Sequence, residues 1–119
     1  MLIVCHRSTV MPPHRHPVGR SESYHVVEGE MVICLFDNEG SVSRQINLSD
    51  KGSNGAFLYR LSESRWHAPI AISEWLVYHE TLTGPFYESE TVEFPDWLPK
   101  DTEISIIENF LKNASTLVK

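Results

Sequence analysis

The 119-residue chain contains no apolar run near the roughly 20 residues that a bilayer-spanning helix needs, so no helical membrane span is expected. Met1 to Cys5 is apolar, but His6 and Arg7 follow it, the wrong length and order for a signal peptide; the expected location is the cytoplasm. Basic residues are scarce: 10 Lys and Arg stand against 16 Asp and Glu, for a formal net charge of −6. A general nucleic-acid binder needs a basic stripe to displace counterions from phosphate, so the charge argues against that class and a small ligand fits better. Cysteine is also rare. Cys5 and Cys34 sit in apolar surroundings with no CxxC pattern, which predicts buried reduced thiols rather than a disulfide. Internal repeats and low-complexity segments are absent, and the length leaves room for one domain with one core.

What the chain has instead is many short β-rich runs separated by turn residues. Leu2 to Val4 reads as a strand that Arg7 to Met11 continues or pairs with. Tyr24 to Val27 and Met31 to Phe36 follow, with Glu28-Gly29-Glu30 as the turn between them. The second of these is apolar on both faces, the mark of a wall buried on both sides. Asp37 to Gly40 is a hairpin turn by composition. Val42 to Leu48 alternates with period two, and Ala56 to Leu61, Trp66 to Ile72 and Trp75 to Thr83 complete the set. So many strands at close spacing predict an all-β sandwich or small barrel.

From Gly84 the character changes to prolines and aromatics (Pro85, Phe86, Tyr87, Phe94, Pro95, Trp97, Pro99), an extended segment expected to seal one end or flank of the barrel. Ile104, Ile107, Phe110 or Leu111, Ala114 and Leu117 then recur at helical spacing, with Asp101 or Thr102 as N-cap. The apolar face of that helix packs on its own barrel or on a partner; the sequence leaves both open. The expected organisation is a barrel with its closing segment over 1–100 and a C-terminal amphipathic helix over 101–119.

The stretch from Pro13 to Gly29, PHRHPVGRSESYHVVEG, is the chemically informative one. His14 and His16 are two apart, so on extended backbone both imidazoles face one way and Arg15 the other. Pro17 and Gly19 allow the chain to double back, bringing the Glu22 carboxylate toward the same point from the next strand. Imidazoles and a carboxylate gathered at one point are metal-ligand chemistry.

The pattern HxH, a carboxylate, a glycine seven residues on and a lone His about fifty residues later resembles the cupin superfamily. PHRH, Arg20 two before Glu22, LFDNEG, the Trp66-His67 dipeptide, Gly84-Pro85-Phe86 and the late Trp-Leu-Pro together resemble the WbuC family of cupin-fold metalloproteins, over roughly residues 2–100. The resemblance implies a single cupin (RmlC-like jelly-roll) β-barrel. It also implies His14, His16, Glu22 and His67 as metal ligands, and a link to surface-polysaccharide (O-antigen) biosynthesis. Departures from the family include Ser62 and Ser64, which stand where its second motif carries Pro and Gly ahead of the His, and the helix after Asp101, which has no counterpart.

Three imidazoles and a carboxylate suit a divalent transition metal: Fe, Mn, Ni, Cu or Zn. Arg20 is a candidate for holding an anionic group such as a phosphate or sugar carboxylate, with Arg60 and Arg65 as weaker ones. Trp66 and other aromatics are candidates for packing on a sugar, or are simply core. Tyr24 and His79, and behind them Glu80, are weak candidates for a general acid or base. His79 reads equally well as a partner orienting a ligand or as a satisfied core histidine, and Glu30 and Glu80 most simply as solvated or paired with arginines. The ligand expected is a small polar metabolite, with a sugar or sugar nucleotide as the leading candidates. The expected readings are a metal-dependent isomerase, epimerase, lyase or oxygenase, a non-catalytic carbohydrate-binding or sensing cupin, or an interaction protein using its aromatic tail and helix. A homodimer is expected, since an open barrel edge and an apolar helix both want covering.

Overall fold

The computed structural model describes residues 1–52, 56–85, 92–98 and 104–116. Within them the strands are β1 (Leu2–His6), β2 (Glu22–Glu28), β3 (Glu30–Phe36), β4 (Val42–Ser49), β5 (Leu58–Leu61), β6 (Trp66–Ala71) and β7 (Trp75–Leu82), with a helix α1 (Ile104–Thr116) after them. The strands form two antiparallel sheets, ordered β1-β7-β2-β5 and β4-β3-β6. Expected strand positions agree with this to within a few residues, except after β1. The chain does not remain extended through Met11: Arg7 and Ser8 turn, closed by Thr9 N donating to His6 O at 2.8 Å, while His6 N donates to Thr9 Oγ1 at 3.0 Å. A short threonine side chain there offers the backbone an alternative to the ladder.

Alternation along the strands builds the interior. Tyr24 and Val26 from β2, Met31, Ile33 and Leu35 from β3, and Leu76 and Tyr78 from β7 meet between the sheets, joined by Cys5, Leu48 and Leu61. The opposite face of β3 is buried too. Val32, Cys34 and Phe36 pack with Trp66 and Ala68 of β6 against Leu111 and Ala114 of α1, and Ile107, Phe110 and Trp97 close over them. The uninterrupted apolar run of β3 therefore has two causes, the barrel interior on one side and a helix on the other. The helix covers its own barrel. Ala114 O anchors it, accepting from Gln45 Nε2 and, at 3.7 Å, from Cys34 Sγ. Both cysteines are free and buried, and burial pushes the Cys34 thiol up to about 11.

Of the proline- and aromatic-rich segment, Trp97 packs between Phe36 (centroids 5.4 Å apart) and Phe110 (5.7 Å), while Phe94 is exposed. Phe86, Tyr87, Pro99, Asp101, Thr102 and Leu117 lie outside the described residues. The 37–40 hairpin is closed by Asp37 Oδ1, which accepts from Glu39 N and Ser41 N at 2.9 Å each. Gly40 has φ +91°, and the Trp97 ring lies where a Cβ would stand.

Candidate metal centre

The loop from Pro12 to His16 is stitched to β6 at one point. His14 N donates to His67 O (3.0 Å) and His67 N to His14 O (2.9 Å), so the two residues face each other as a cross-strand pair. Directly opposed residues send their side chains to the same face, and His16, two along, joins them. The ring centroids lie 4.5 Å apart for His14 and His67, 5.3 Å for His14 and His16, and 5.6 Å for His16 and His67. Arg15 points the other way, paired with Glu93 (2.7 Å) and with its guanidinium 4.1 Å from the Trp66 ring centroid. Pro17 O accepts from Arg20 N (3.1 Å), and Gly19 at φ +89° turns the chain into β2. Glu22, the first residue of β2, then enters from the opposite sheet.

The serine at the departure from the family pattern has a structural use. Ser64 Oγ donates to His16 O at 2.6 Å, tying the loop that carries His16 to the segment just ahead of β6.

Glu22 Oε2 lies 3.0 Å from His67 Nε2 and 3.1 Å from His16 Nε2, all three side chains buried. His67 Nδ1 lies 2.8 Å from Arg65 O and His14 Nδ1 3.0 Å from Pro12 O. A carbonyl only accepts, so both Nδ1 atoms carry the proton, and in the neutral ring the lone pair sits on Nε2. Burial, and then the neighbouring His67, push the His14 pKa down to about 4, so His14 is neutral at pH 7. His67 consequently presents to a carboxylate oxygen either an imidazolium proton or a lone pair. The second arrangement is repulsive unless a cation lies between them. Backbone carbonyls that fix tautomers in this way are the usual supports of metal-bound histidines. One ligand atom from each of His14, His16 and His67 lies within 4.8 Å of the others, and the same holds for His16, Glu22 and Glu80. Borderline nitrogen donors with carboxylate oxygens fit a divalent transition metal.

Glu80, ranked from the sequence as a weak acid–base candidate and more simply as a solvated or arginine-paired carboxylate, is instead paired with Glu22. It projects from β7 on the same face as Leu76 and Tyr78, into the interior, and hydrogen-bonds Glu22. Burial, and then Glu22, push the Glu80 carboxyl up to about 8, so it keeps its proton and donates to Glu22. Burial opposes ionisation of Glu22 as well, but the hydrogen bonds from His16, His67 and Glu80 outweigh it and hold that carboxyl below the usual range. Tyr24 is buried between these groups. Its hydroxyl makes no hydrogen bond of ordinary geometry, and burial with the Glu22 and Glu80 charges raises its pKa well above 10.

The pairing of Glu22 and Glu80 has a measurable consequence. An unfolded carboxyl loses its proton near 4.5, whereas folded Glu80 holds it to about 8, so stability is full below 4.5 and falls as pH rises to 8. Glu80→Gln keeps a donor for Glu22 without that loss. In metal-free protein its melting temperature is expected to match the parent near pH 4.5. It should exceed the parent at pH 8 by roughly 4 °C, about 1 kcal/mol after allowance for partial exposure. Equal melting curves at both pH values in thermal scans would contradict the pairing.

The other sequence candidates lie elsewhere. His79 alternates to the outside of β7 and is exposed, because its neighbours Tyr78 and Glu80 face in. Trp66 precedes His67 and so takes the opposite face of β6, beneath Arg15 and against Trp97. Arg60 is likewise on the outer face, between the inward-facing Tyr59 and Leu61, and donates to Ser21 Oγ at 3.0 Å. Arg20 Nη1 donates to Thr83 O (2.9 Å) at the mouth of β2, and Arg65 Nη2 to Ser43 Oγ (2.9 Å).

A family model described as a domain of unknown function (DUF6016) matches residues 1–48. No curated protein matches the chain. Among solved structures it is similar to NovW, a 4-keto-6-deoxy sugar epimerase from the novobiocin biosynthetic gene cluster of Streptomyces spheroides (TM-score 0.61, 20% identity, 84% of this chain and 56% of that one). It is also similar to the capsular polysaccharide assembling protein CapF from Staphylococcus aureus (0.65, 14%, 79% and 26%). A third similar structure is dTDP-4-dehydrorhamnose 3,5-epimerase from Elizabethkingia anophelis NUHP1 (0.59, 11%, 76% and 51%). The fold is the cupin-like jelly roll of RmlC-like sugar epimerases. The chain spans about half or less of the length of these proteins, and at such identities the likeness carries the fold alone.

Proposed function

We propose that this chain is a metal-binding cupin of the WbuC type, acting on or binding a small polar metabolite of surface-polysaccharide or nucleotide-sugar metabolism as a homodimer in the cytoplasm. The observation that carries the reading is the convergence of His14, His16, His67 and Glu22, with carbonyls fixing two of the imidazoles so that their Nε2 atoms face inward. A bound divalent metal with open positions would polarise an oxygen of the ligand or lower the pKa of a bound water. The protein's own residues supply the rest. Ser64 and the His14–His67 backbone pair fix the ligand frame, and the apolar interior around Tyr78 and Leu61 excludes water. Glu80 and Tyr24 are the proton-bearing groups beside Glu22, which makes them, rather than His79, the candidates for moving a proton to or from a bound ligand.

The test is elemental analysis of protein purified without a metal-affinity tag, followed by titration of sugar nucleotides into the loaded protein by calorimetry. Near-stoichiometric metal and ligand binding are expected. Protein that carries no metal and takes none up when Fe, Mn, Ni, Cu or Zn is offered would overturn the reading. A second reading, a metal-free epimerase, is favoured by the 3.0 Å His67–Glu22 contact beside Tyr24 and by the activities named for two of the similar structures. It requires turnover of a 4-keto-6-deoxy sugar nucleotide that survives chelator.

A further inference from the structure

The two sheets differ in what covers their outer faces. The β4-β3-β6 sheet has α1 and Trp97 packed on it. The β1-β7-β2-β5 sheet has nothing packed on its outer face among the described residues, yet that face is apolar. Leu2, Val4, Val27, Phe57, Leu58 and Trp75 are exposed there, from 51% for Phe57 to 62% for Val4. At roughly 100 Å² of exposed surface for each such side chain, these six present on the order of 600 Å². That is the upper end of what a monomer leaves uncovered, about 300–600 Å². With the intervening histidines it approaches the ~800 Å² that each partner of a stable complex buries.

We infer that the outer face of the β1-β7-β2-β5 sheet is the surface on which a second copy of this chain docks, sheet face to sheet face. The inference rests on the homodimer reading above and assigns it a surface. The strand registers show why the partner is the same chain. Leu2 pairs with His79, His79 with His25, and His25 with Leu58, forming one row across all four strands. Read from either end, the row is leucine, histidine, histidine, leucine. A two-fold axis in the plane of the interface sets leucine on leucine and histidine on histidine whether it runs along the strands or across them. An isologous contact demands such self-complementarity. The next row continues it with the Val4–Val77 pair, although Glu28 stands opposite Val77 on β2, and Trp75 beside His6 (ring centroids 4.9 Å) carries the apolar surface to the end of the sheet. No Asp, Glu, Lys or Arg stands in the leucine–histidine row; Glu28 lies one row along on β2, and Arg60 and Glu74 lie at the margins.

The test is sedimentation velocity of the full chain over roughly 1–100 µM, a range that resolves micromolar self-association, for the parent, Val4→Arg and Leu58→Arg. Both positions are exposed, so circular dichroism and metal content should remain those of the parent. With either orientation of the two-fold axis each substitution sets a charged side chain twice within the contact, and dimerisation is expected to weaken at least 100-fold in both variants. A parent that dimerises equally well with either arginine present overturns the assignment of this face and leaves the dimer to another surface. A parent that stays monomeric throughout the range overturns the dimer as well, while the metal-centre reading is judged separately by elemental analysis.

Discussion

His67→Ala is expected to take the protein from about one bound metal ion per chain to none detectable, the largest functional effect of any single substitution in the candidate centre. His67 is the residue on which the geometry converges. Its backbone holds His14 through two hydrogen bonds, its Nδ1 is fixed by Arg65 O, and its Nε2 lies 3.0 Å from Glu22. Loss of a residue that merely orients a ligand costs metal affinity 10- to 100-fold; loss of a ligand itself should cost more than 100-fold. The same substitution strands a buried carboxylate, which in other proteins destabilises by about 3–5 kcal/mol, so loss of metal could follow from unfolding. His16→Ala provides the cross-check, since His16 sits on a loop rather than inside a strand. His79→Ala, on the outside of β7, should leave metal content unchanged. Elemental analysis beside far-ultraviolet dichroism separates the cases: folded His16→Ala protein that still carries an equivalent of metal would remove His16 from the centre.

How much of this was legible in the sequence follows from alternation. The two-residue spacing of His14 and His16 is enough to put both rings on one face of extended chain, and that is where they are. Gly19 and Pro17 marked the reversal that brings in Glu22. His67 came from a dipeptide pattern, and the spacing of one strand could not have chosen it over His79. Glu80 was named only as a weak acid–base candidate, although the signal for its inward position was present: Leu76, Tyr78 and Glu80 share one parity in β7, and two large apolar side chains pointing inward carry the glutamate with them. The same parity puts His79 outside, and adjacency to His67 puts Trp66 on the far face of β6. Arg60, lodged between Tyr59 and Leu61, faces out for the same reason. What no local rule supplies is the pairing between distant elements. That α1 lies on β3 and β6 depends on the shape of the finished barrel. So does the bond from Ser64 to His16 O, which joins residues 48 apart.

Gly29→Ala should be the most destabilising single-methyl addition at a described glycine of this chain. Gly29 closes the turn between β2 and β3 at φ +98°, a conformation that costs a non-glycine residue about 1–2 kcal/mol. Space makes it worse. An added Cβ would lie 2.5 Å from Ser73 Oγ and 2.5 Å from Trp75 O, with Leu76 Cα 3.3 Å away. The serine hydroxyl can rotate, although it would then give up its bonds with Glu30 N (2.9 Å) and Trp75 O (2.6 Å). The Trp75 carbonyl belongs to the opening residue of β7, and moving it shifts the strand that pairs with both β1 and β2. Backbone strain and overpacking together should cost about 3 kcal/mol or more, a fall in melting temperature of at least roughly 10 °C for a domain of this size. Gly19→Ala is the matched control, with a similar φ of +89° and nothing within 4 Å of the new methyl. It should lose only the conformational part, about 1 kcal/mol. Equal losses in the two variants would mean that the contact between the β2–β3 turn and the start of β7 is not what Gly29 serves. A large gap, with metal content per folded molecule unchanged in both, would establish that the glycine closing the histidine–glutamate stretch acts through packing of the two turns and not through the ligands.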